Sequence, residues 1–438
     1  MAIWTRCLMM GLLLRAFLVL GDQAVDRLRE EQLQSLHEAV LRLRSAVCPV
    51  RLPSGYRDFR AVIHAHSKLS HDSRGTQAEI LRAALAAGAQ VVMMSEHPRP
   101  GTDVIAQGIS GLRDGVLFIP GAESNQFLVY PRTKVSPDWG QSQQRLVDWI
   151  RKEGGQIFIS HPEEQPDWTL SGITGMEIYN THADLKDETR LLRLFSLGDR
   201  ERLADLIRVL ENMQRYPQEA FASIFDVPAE NLRRWDALSV EGICVGVAAN
   251  DAHNNTGFIL KAGDSNAVIV EDPLGEEIAR LEKSKLPGAI AASDSPPGTK
   301  LMEFRLDPYE RSFRYVSTHI LAPELSEEAI RRELARGRVY VAFDWMADPT
   351  GSAFLVEGKG VRATLGDEVP WKKGLQLRVA LPLKAQVRLI RNGQEIARKE
   401  GADVSFPLSG KGACRIEAWL TLGNEQRPWI YTNHIRLK

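Results

Sequence analysis

AVIHAH at residues 61–66, QVVMMSEH at 90–97, VLFIPGAES at 116–124, QIFISHP at 156–162, GMEIYNTH at 175–182 and ICVGVAANDAH at 243–253 are short apolar runs. Each ends in, or just before, a side chain able to ligate a metal: His64 and His66, His97, Glu123, His161, His182, then Asp251 and His253. Runs of this length and β-branched content read as strands. Between them, TQAEILRAALAAGA and SQQRLVDWIRKEGG read as helices with glycine near the end, where a left-handed cap is wanted. Such alternation predicts an α/β fold with a largely parallel sheet. Closed into a β/α barrel, parallel strands carry their C-terminal ends to one face, so residues distant in sequence meet around one pocket. Six of the ten histidines fall at these strand ends, which is the pattern of a site rather than of scattered surface groups.

His64 and His66 stand at i and i+2, and in an extended segment both imidazoles project from the same side of the backbone and reach one ion. Asp72, in KLSHDSRG, can add an oxygen ligand from the turn that follows, with His71 beside it as a competitor. A mixed imidazole and carboxylate set suits Zn, Mn or Fe better than calcium, which prefers all-oxygen surroundings.

Taken in order, HAHSKLSHDSRG, SEHP, GAESN, SHPEE and NDAHN resemble the successive motifs of the PHP superfamily of metal-dependent phosphoesterases, named for polymerase and histidinol phosphatase. The resemblance covers roughly Arg60 to Phe343. It implies a distorted, TIM-like, seven-stranded β/α barrel holding two or three divalent metal ions. It also implies that His64, His66, Glu123 and Asp251 surround one ion and Asp72, His97 and His253 another, with Glu123 bridging and His161 on a third. Trinuclear members often place another histidine between Glu123 and His161, and this sequence has none there. His182 either compensates from the next strand or has a hydrogen-bonding or substrate-facing role. The leader, the GRVYVAF ending and the β-rich tail together resemble exported PHP proteins grouped with carbaryl hydrolases.

Two ions about 3.5–4 Å apart can lower the pKa of a shared water and hold both the attacking and the leaving oxygen of an ester. The expected activity is therefore metal-dependent hydrolysis of a small-molecule phosphomonoester or phosphodiester by a metal-bridged hydroxide. Neither GxSxG nor a cysteine with a plausible partner histidine offers a side-chain nucleophile. The same hydroxide could instead attack a carboxyl-ester, amide or carbamate carbonyl. A third reading is an exported, non-catalytic binding protein with structural metals. Arg99, Arg132 and Lys134 either neutralise phosphate oxygens or are solvated loop charges. Asn125 and Asn250 adjoin ligands and either orient them or finish turns.

The remaining sequence sets the frame. The chain has 438 residues, 44% hydrophobic and 25% charged, enough for one large domain and a smaller one. Its 55 basic and 56 acidic residues leave a net charge of −1, no footprint for nucleic acid. Cys7, Cys48, Cys244 and Cys414 form no CxxC pair. Arg6, the apolar stretch from Cys7 to Leu20 and small or polar residues to Ala24 make residues 1–24 resemble a secretory signal peptide, so a secreted or periplasmic location is expected. An uncleaved leader would leave an N-terminal membrane anchor, although Arg15 interrupts a stretch already short for a span. Residues 25–56 read as a helix and linker, and 57–345 as the barrel, with a helical insertion at 185–238 that roofs or decorates it. Residues 291–299 read as a loop, SEEAIRRELARGRVYVAF as a last helix and strand, and 349–438 as a small all-β sandwich for stability or docking. In that tail Asn392-Gly393 signals a tight hairpin and His434 reads as a surface residue. Nothing in the sequence sets an oligomeric state.

Overall fold

The computed structural model describes residues 24–50, 55–133, 135–165, 169–188, 203–264, 266–286 and 293–438. Lys134 and almost all of the leader read at 1–24 lie outside the described residues, as does 189–202 of the insertion. The molecule is a mixed α/β protein with large sheets. In chain order the first strands are β1 (Arg57–Ile63), β2 (Val91–Met93), β3 (Gly111–Arg113), β4 (Val116–Ile119), β5 (Ala122–Ser124), β6 (Phe127–Tyr130), β7 (Gln156–Ile159), β8 (Gly175–Asn180) and β9 (Val245–Ala249).

β1, β2 and β4 pair in parallel. β7, β8 and β9 do the same in a second sheet, to which β5 and β6 add antiparallel. Among the described residues the only β-bridges between the two sheets are single and parallel, Glu96 to Ala122 at one seam and Ala65 to Ala252 at the other. Among the described residues the ladder therefore does not close into an unbroken ring.

Strand periodicity of two decides what each side chain meets. Ala61, Ile63, Val91, Met93, Leu117 and Ile119 of the first sheet share one core with Leu128, Phe158, Val245 and Val247 of the second. The alternate residues Val62, Val92 and Phe118 pack outward on Ile80, Ala83, Ala84 and Ala87 of helix Gln77–Ala87. With both faces covered, these strands read as unbroken apolar runs. The helix starts as its sequence suggests, Thr76 and Glu79 forming a capping box, and stops at Gly88 with φ of 72°.

Several expectations need correction. A four-stranded antiparallel sheet, β10 (Gly257–Ala262), β11 (Ala267–Glu271), β12 (Glu277–Glu282) and β13 (Lys300–Arg305), follows the DAH segment where no strands were expected. The last helix and strand form as read, but a strand not foreseen, β14 (Ser317–Ala322), stands between β1 and β15 (Val339–Ala342) and pairs antiparallel with both. An apolar run covered on both faces looks the same in either direction, which is why the pattern did not declare it. The tail supplies β16 (Ala353–Gly358), β17 (Val361–Ala363), β18 (Glu368–Val369), β19 (Gln376–Arg391), β20 (Gln394–Pro407), β21 (Gly412–Leu422), β22 (Glu425–Thr432) and β23 (Ile435–Leu437). These strands are not a separate sheet, because β22 pairs with β15 and so continues the sheet that contains β1. Asn392 and Gly393, at φ of 50° and 80°, turn β19 into β20.

His434 is buried, not a surface residue, its Nε2 2.8 Å from Asp236 Oδ1. The described insertion helices do not lie free: Asn212 donates to the Leu28 carbonyl at 3.0 Å, and helix Ala229–Glu241 carries Asp236 to Arg415 of β21. Cys48, Cys244 and Cys414 are free thiols, and no helix among the described residues is long and apolar enough to cross a membrane.

Where β1 meets β14, His319 lies between two carboxylates, Nδ1 2.8 Å from Asp58 and Nε2 2.8 Å from Asp344. Burial alone lowers this imidazole, but the two carboxylates outweigh it and hold its pKa up to about 10. That lies above the ~6.5 of an unfolded histidine, so the stabilisation is complete below about pH 6.5 and is lost as pH rises through the folded value. His319→Gln is expected to cost about 1.5–3 kcal/mol near pH 6, because it removes the charged donor to both carboxylates while Arg60 stays with Asp344 and Tyr340 with Asp58. In urea unfolding the gap to wild type should narrow toward pH 10; a constant gap contradicts a charged His319.

Candidate metal centre

Two short segments build the floor of the site, and both have the form ligand-Ala-His. β1 ends at Ile63 and His64 turns left-handed at φ of 68°; past the end of β9, Asp251 does the same at 46°. Ala65 and Ala252 then pair: the His66 N–H donates to the Ala252 carbonyl at 3.0 Å, and the Ala252 N–H to the His64 carbonyl at 3.3 Å. Side-chain alternation along an extended HAH is therefore not what brings the imidazoles together. The strand has already ended, and the left-handed turn aims His64 while the bridge aims His66. Their ring centroids stand 5.0 Å apart, and His66 stacks on His253 at 4.0 Å. A third ligand candidate, His161 after β7, is left-handed too, at 47°. Non-glycine residues held there cost about 1–3 kcal/mol each and gather at functional sites.

Around this floor the potential ligand atoms fall into two groups, each within 4.8 Å: His64, His66, Glu123 and Asp251, and His66, Asp72, His97 and His253. His66 belongs to both, where the family resemblance placed it in one. In the first group His64 Nε2 lies 3.0 Å from Glu123 Oε2 and 3.2 Å from Asp251 Oδ1. In the second, Asp72 Oδ2 lies 3.1 Å from His253 Nε2 and 3.2 Å from His97 Nε2. Glu123 spans them, its Oε2 also 3.5 Å from His66 and 3.6 Å from His97. His66 Nε2, His253 Nε2, Asp72 Oδ1 and Asp251 Oδ1 are buried without a hydrogen-bond partner. Four orphaned atoms in one cluster are costly unless something else satisfies them, and divalent cations fit this donor set.

The surroundings decide which nitrogen of each ring faces the cluster. Ser70 Oγ donates to Glu96 Oε2 at 2.7 Å, so it must accept from His66 Nδ1 at 3.1 Å and from the His97 N–H at 2.9 Å. His66 Nδ1 therefore carries the proton and Nε2 presents its lone pair. Likewise His64 Nδ1 donates to Glu177 Oε1 at 2.7 Å, and His253 Nδ1 to the Asp251 carbonyl at 3.1 Å. Partners of this kind typically tune metal affinity by about 10–100-fold. Ser70→Ala is expected to weaken Zn2+ binding by about that factor in calorimetric titration; unchanged affinity would reduce Ser70 to a loop staple.

Charge follows the same plan. Burial and the neighbouring His253 push His66 down to about 3, so its ring is neutral. Burial opposes ionisation of Asp72 and Asp251, yet the surrounding imidazoles hold both below the usual carboxylate range. Burial lowers His253 and His161, but the neighbouring carboxylates, Asp72 foremost for His253 and Glu123 for His161, outweigh it and raise them to about 9 and about 11. A cation taken up at these nitrogens must displace those protons, so metal binding should weaken as pH falls.

The other candidates divide. His161 belongs to neither group but touches both acids of the first, Nε2 3.1 Å from Glu123 Oε1 and 3.4 Å from Asp251 Oδ2. The His182 ring stands 5.6 Å from that of His253, and burial lowers its pKa to about 4. His71 approaches His97 at 5.1 Å between ring centroids, outside both groups. Arg99 is exposed and bonds Thr102 at 3.3 Å. Arg132 is misplaced by the sequence reading: β6 runs antiparallel to β7, with Tyr130 opposite Gln156, so Arg132 leaves at the end remote from His161. Asn125 donates to the Trp139 carbonyl at 3.0 Å, and Asn250 to the carbonyls of Ser312 and Val316 at 2.9 and 2.8 Å. Both staple loops and neither hydrogen-bonds a ligand side chain through its amide. Glu177 and Glu96, fully buried, went unread; an acid inside the apolar runs GMEIYN and VVMMSEH was the available signal.

No family model matches the chain, and no curated protein matches it. Among solved structures it is similar to a two-domain protein containing a predicted PHP-like metal-dependent phosphoesterase from Bacteroides vulgatus ATCC 8482, at 14% identity over 88% of this chain and 98% of that one, with a TM-score of 0.32. At that identity and score the likeness decides neither the fold nor the chemistry of this chain, which rest on the geometry above.

Proposed function

We propose that the chain is a PHP-type metal-dependent hydrolase acting on phosphomonoesters or phosphodiesters. The observation that carries this is the pair of ligand groups sharing His66, with four of their atoms buried and unpartnered. Divalent cations bound there supply Lewis acidity toward an ester oxygen and lower the pKa of a water. The chain's own groups do the rest. Glu123 ties the two groups together, and its carboxylate is held ionised by His64 and His161 against the opposing effect of burial. Asp72, His97 and His161, at 27%, 26% and 14% side-chain exposure, mark the side from which a substrate enters. His182, half-buried and neutral beside His253, faces the substrate as a hydrogen-bonding group.

The wider frame belongs to the same reading. The two sheets are halves of a distorted seven-stranded barrel, a view supported by their common inner core and by bridges at both seams. Residues 1–24 act as an export leader, and 349–438 serve as a β-sandwich for stability or docking. Protein purified without chelator should carry two or three equivalents of Zn, Mn or Fe by elemental analysis and hydrolyse phosphate esters. Parallel assays with carboxyl and carbamate esters test the bond: activity on those alone removes the phosphoesterase reading. Metal without any hydrolysis points to a binding protein, and failure to take up metal after reconstitution overturns the proposal.

A further inference from the structure

The deepest acid in the site is absent from both ligand groups. Glu177, at the middle of β8, is fully buried, and both of its oxygens are committed. Oε1 accepts from His64 Nδ1 at 2.7 Å. Oε2 accepts from the His161 backbone N–H at 3.0 Å and from Asn180 Nδ2 at 3.0 Å. The first contact leaves His64 Nε2 free to face the cluster; the second anchors the left-handed turn that sets the His161 ring against Glu123. Asn180 in turn caps the helix bearing His182, its Oδ1 accepting from the His182 N–H at 2.8 Å.

We propose that Glu177 is a positioning residue that builds two parts of the metal centre at once, fixing the tautomer of His64 and the turn that carries His161. This rests on the metal-dependent reading above and adds that the two parts are not independent. A carboxylate suits the place because both oxygens must accept. Glutamine cannot replace it: its NH2 would face either His64, forcing the lone pair onto Nδ1 and a proton onto Nε2, or the His161 N–H, setting donor against donor.

The test is metal binding by Glu177→Gln beside wild type, titrated with Zn2+ in a calorimeter and with Co2+ in the visible region. At unchanged far-UV circular dichroism the variant should bind Zn2+ about 10–100-fold more weakly and show an altered Co2+ ligand-field spectrum, which a purely structural role would not produce. Wild-type affinity and spectrum in the variant overturn the inference alone, whereas a wild-type protein that binds neither metal overturns the hydrolase reading with it. If Glu177→Gln does not fold, Glu177→Asp decides. It keeps the charge but is one methylene too short to reach both His64 and His161, so weakened binding supports the inference and wild-type binding ends it.

Discussion

Asp251→Asn is expected to lower hydrolytic turnover by about 10³-fold or more and to deplete bound metal. Asp251 Oδ1 stands 3.2 and 3.6 Å from the Nε2 atoms of His64 and His66 with no hydrogen bond of its own, and Oδ2 lies 3.4 Å from His161. Asparagine keeps the shape, so the left-handed turn survives, but it removes a negative charge and puts an NH2 donor on one of the two faces. A cation's stabilisation of a reacting oxygen amounts to several kcal/mol, and each 1.36 kcal/mol is tenfold, hence roughly 10³-fold. The measurements are turnover on a phosphate ester and metal per chain by elemental analysis. A metal-depleted Asp251→Asn that retained full activity would sink the metal-dependent reading.

The largest expected effect on stability lies far from that site. Asp236, on helix Ala229–Glu241, accepts from Arg415 Nε at 2.7 Å and Nη2 at 2.8 Å and lies 2.8 Å from His434 Nε2. Burial opposes its charge, but the Arg415 guanidinium and His434 hold the carboxyl down at about 2. All three side chains are 5% exposed or less. Asp236→Ala leaves the guanidinium with Glu417 as its remaining carboxylate partner, at 2.7 Å, and should cost about 3–5 kcal/mol. Urea unfolding followed through Trp235, whose indole lies 4.5 Å from the His434 ring, reports it. The triple change Asp236→Leu, Arg415→Met and Glu417→Gln should lose less than the single change, because no buried charge is then stranded. Equal or larger loss would locate the stabilisation in the ion pair itself.

Much of this was readable along the chain, and the reason differs by element. Helix Gln77–Ala87 was visible because its stop and start chemistry is local: Thr76 and Glu79 close on each other, and Gly88 takes a backbone shape that other residues resist. The Asn392-Gly393 turn was visible for the same reason. Candidate ligands were visible because the chemistry restricts them to few residue types, placed just past short apolar runs.

Other features depend on partners that no local pattern names. Arg132 reads as a neighbour of Glu123 until β6 is seen to run back against β7. His319 and His434 read as unremarkable until Asp58, Asp344 and Asp236 arrive from distant segments.

Sequence by itself determined the ligand chemistry: which imidazoles and carboxylates stand where strands end, and hence that cations fit this donor set. Only the tertiary structure decided how they meet. Ala65 pairs with Ala252, His64 and Asp251 turn left-handed, and Glu177 and Ser70 choose the nitrogen each ring presents. The physical reason is that residue type carries donor and acceptor capacity, whereas direction here comes from backbone bridges and hydrogen bonds such as that between Ala252 and His64, 188 positions apart, which exist only once the sheets have packed.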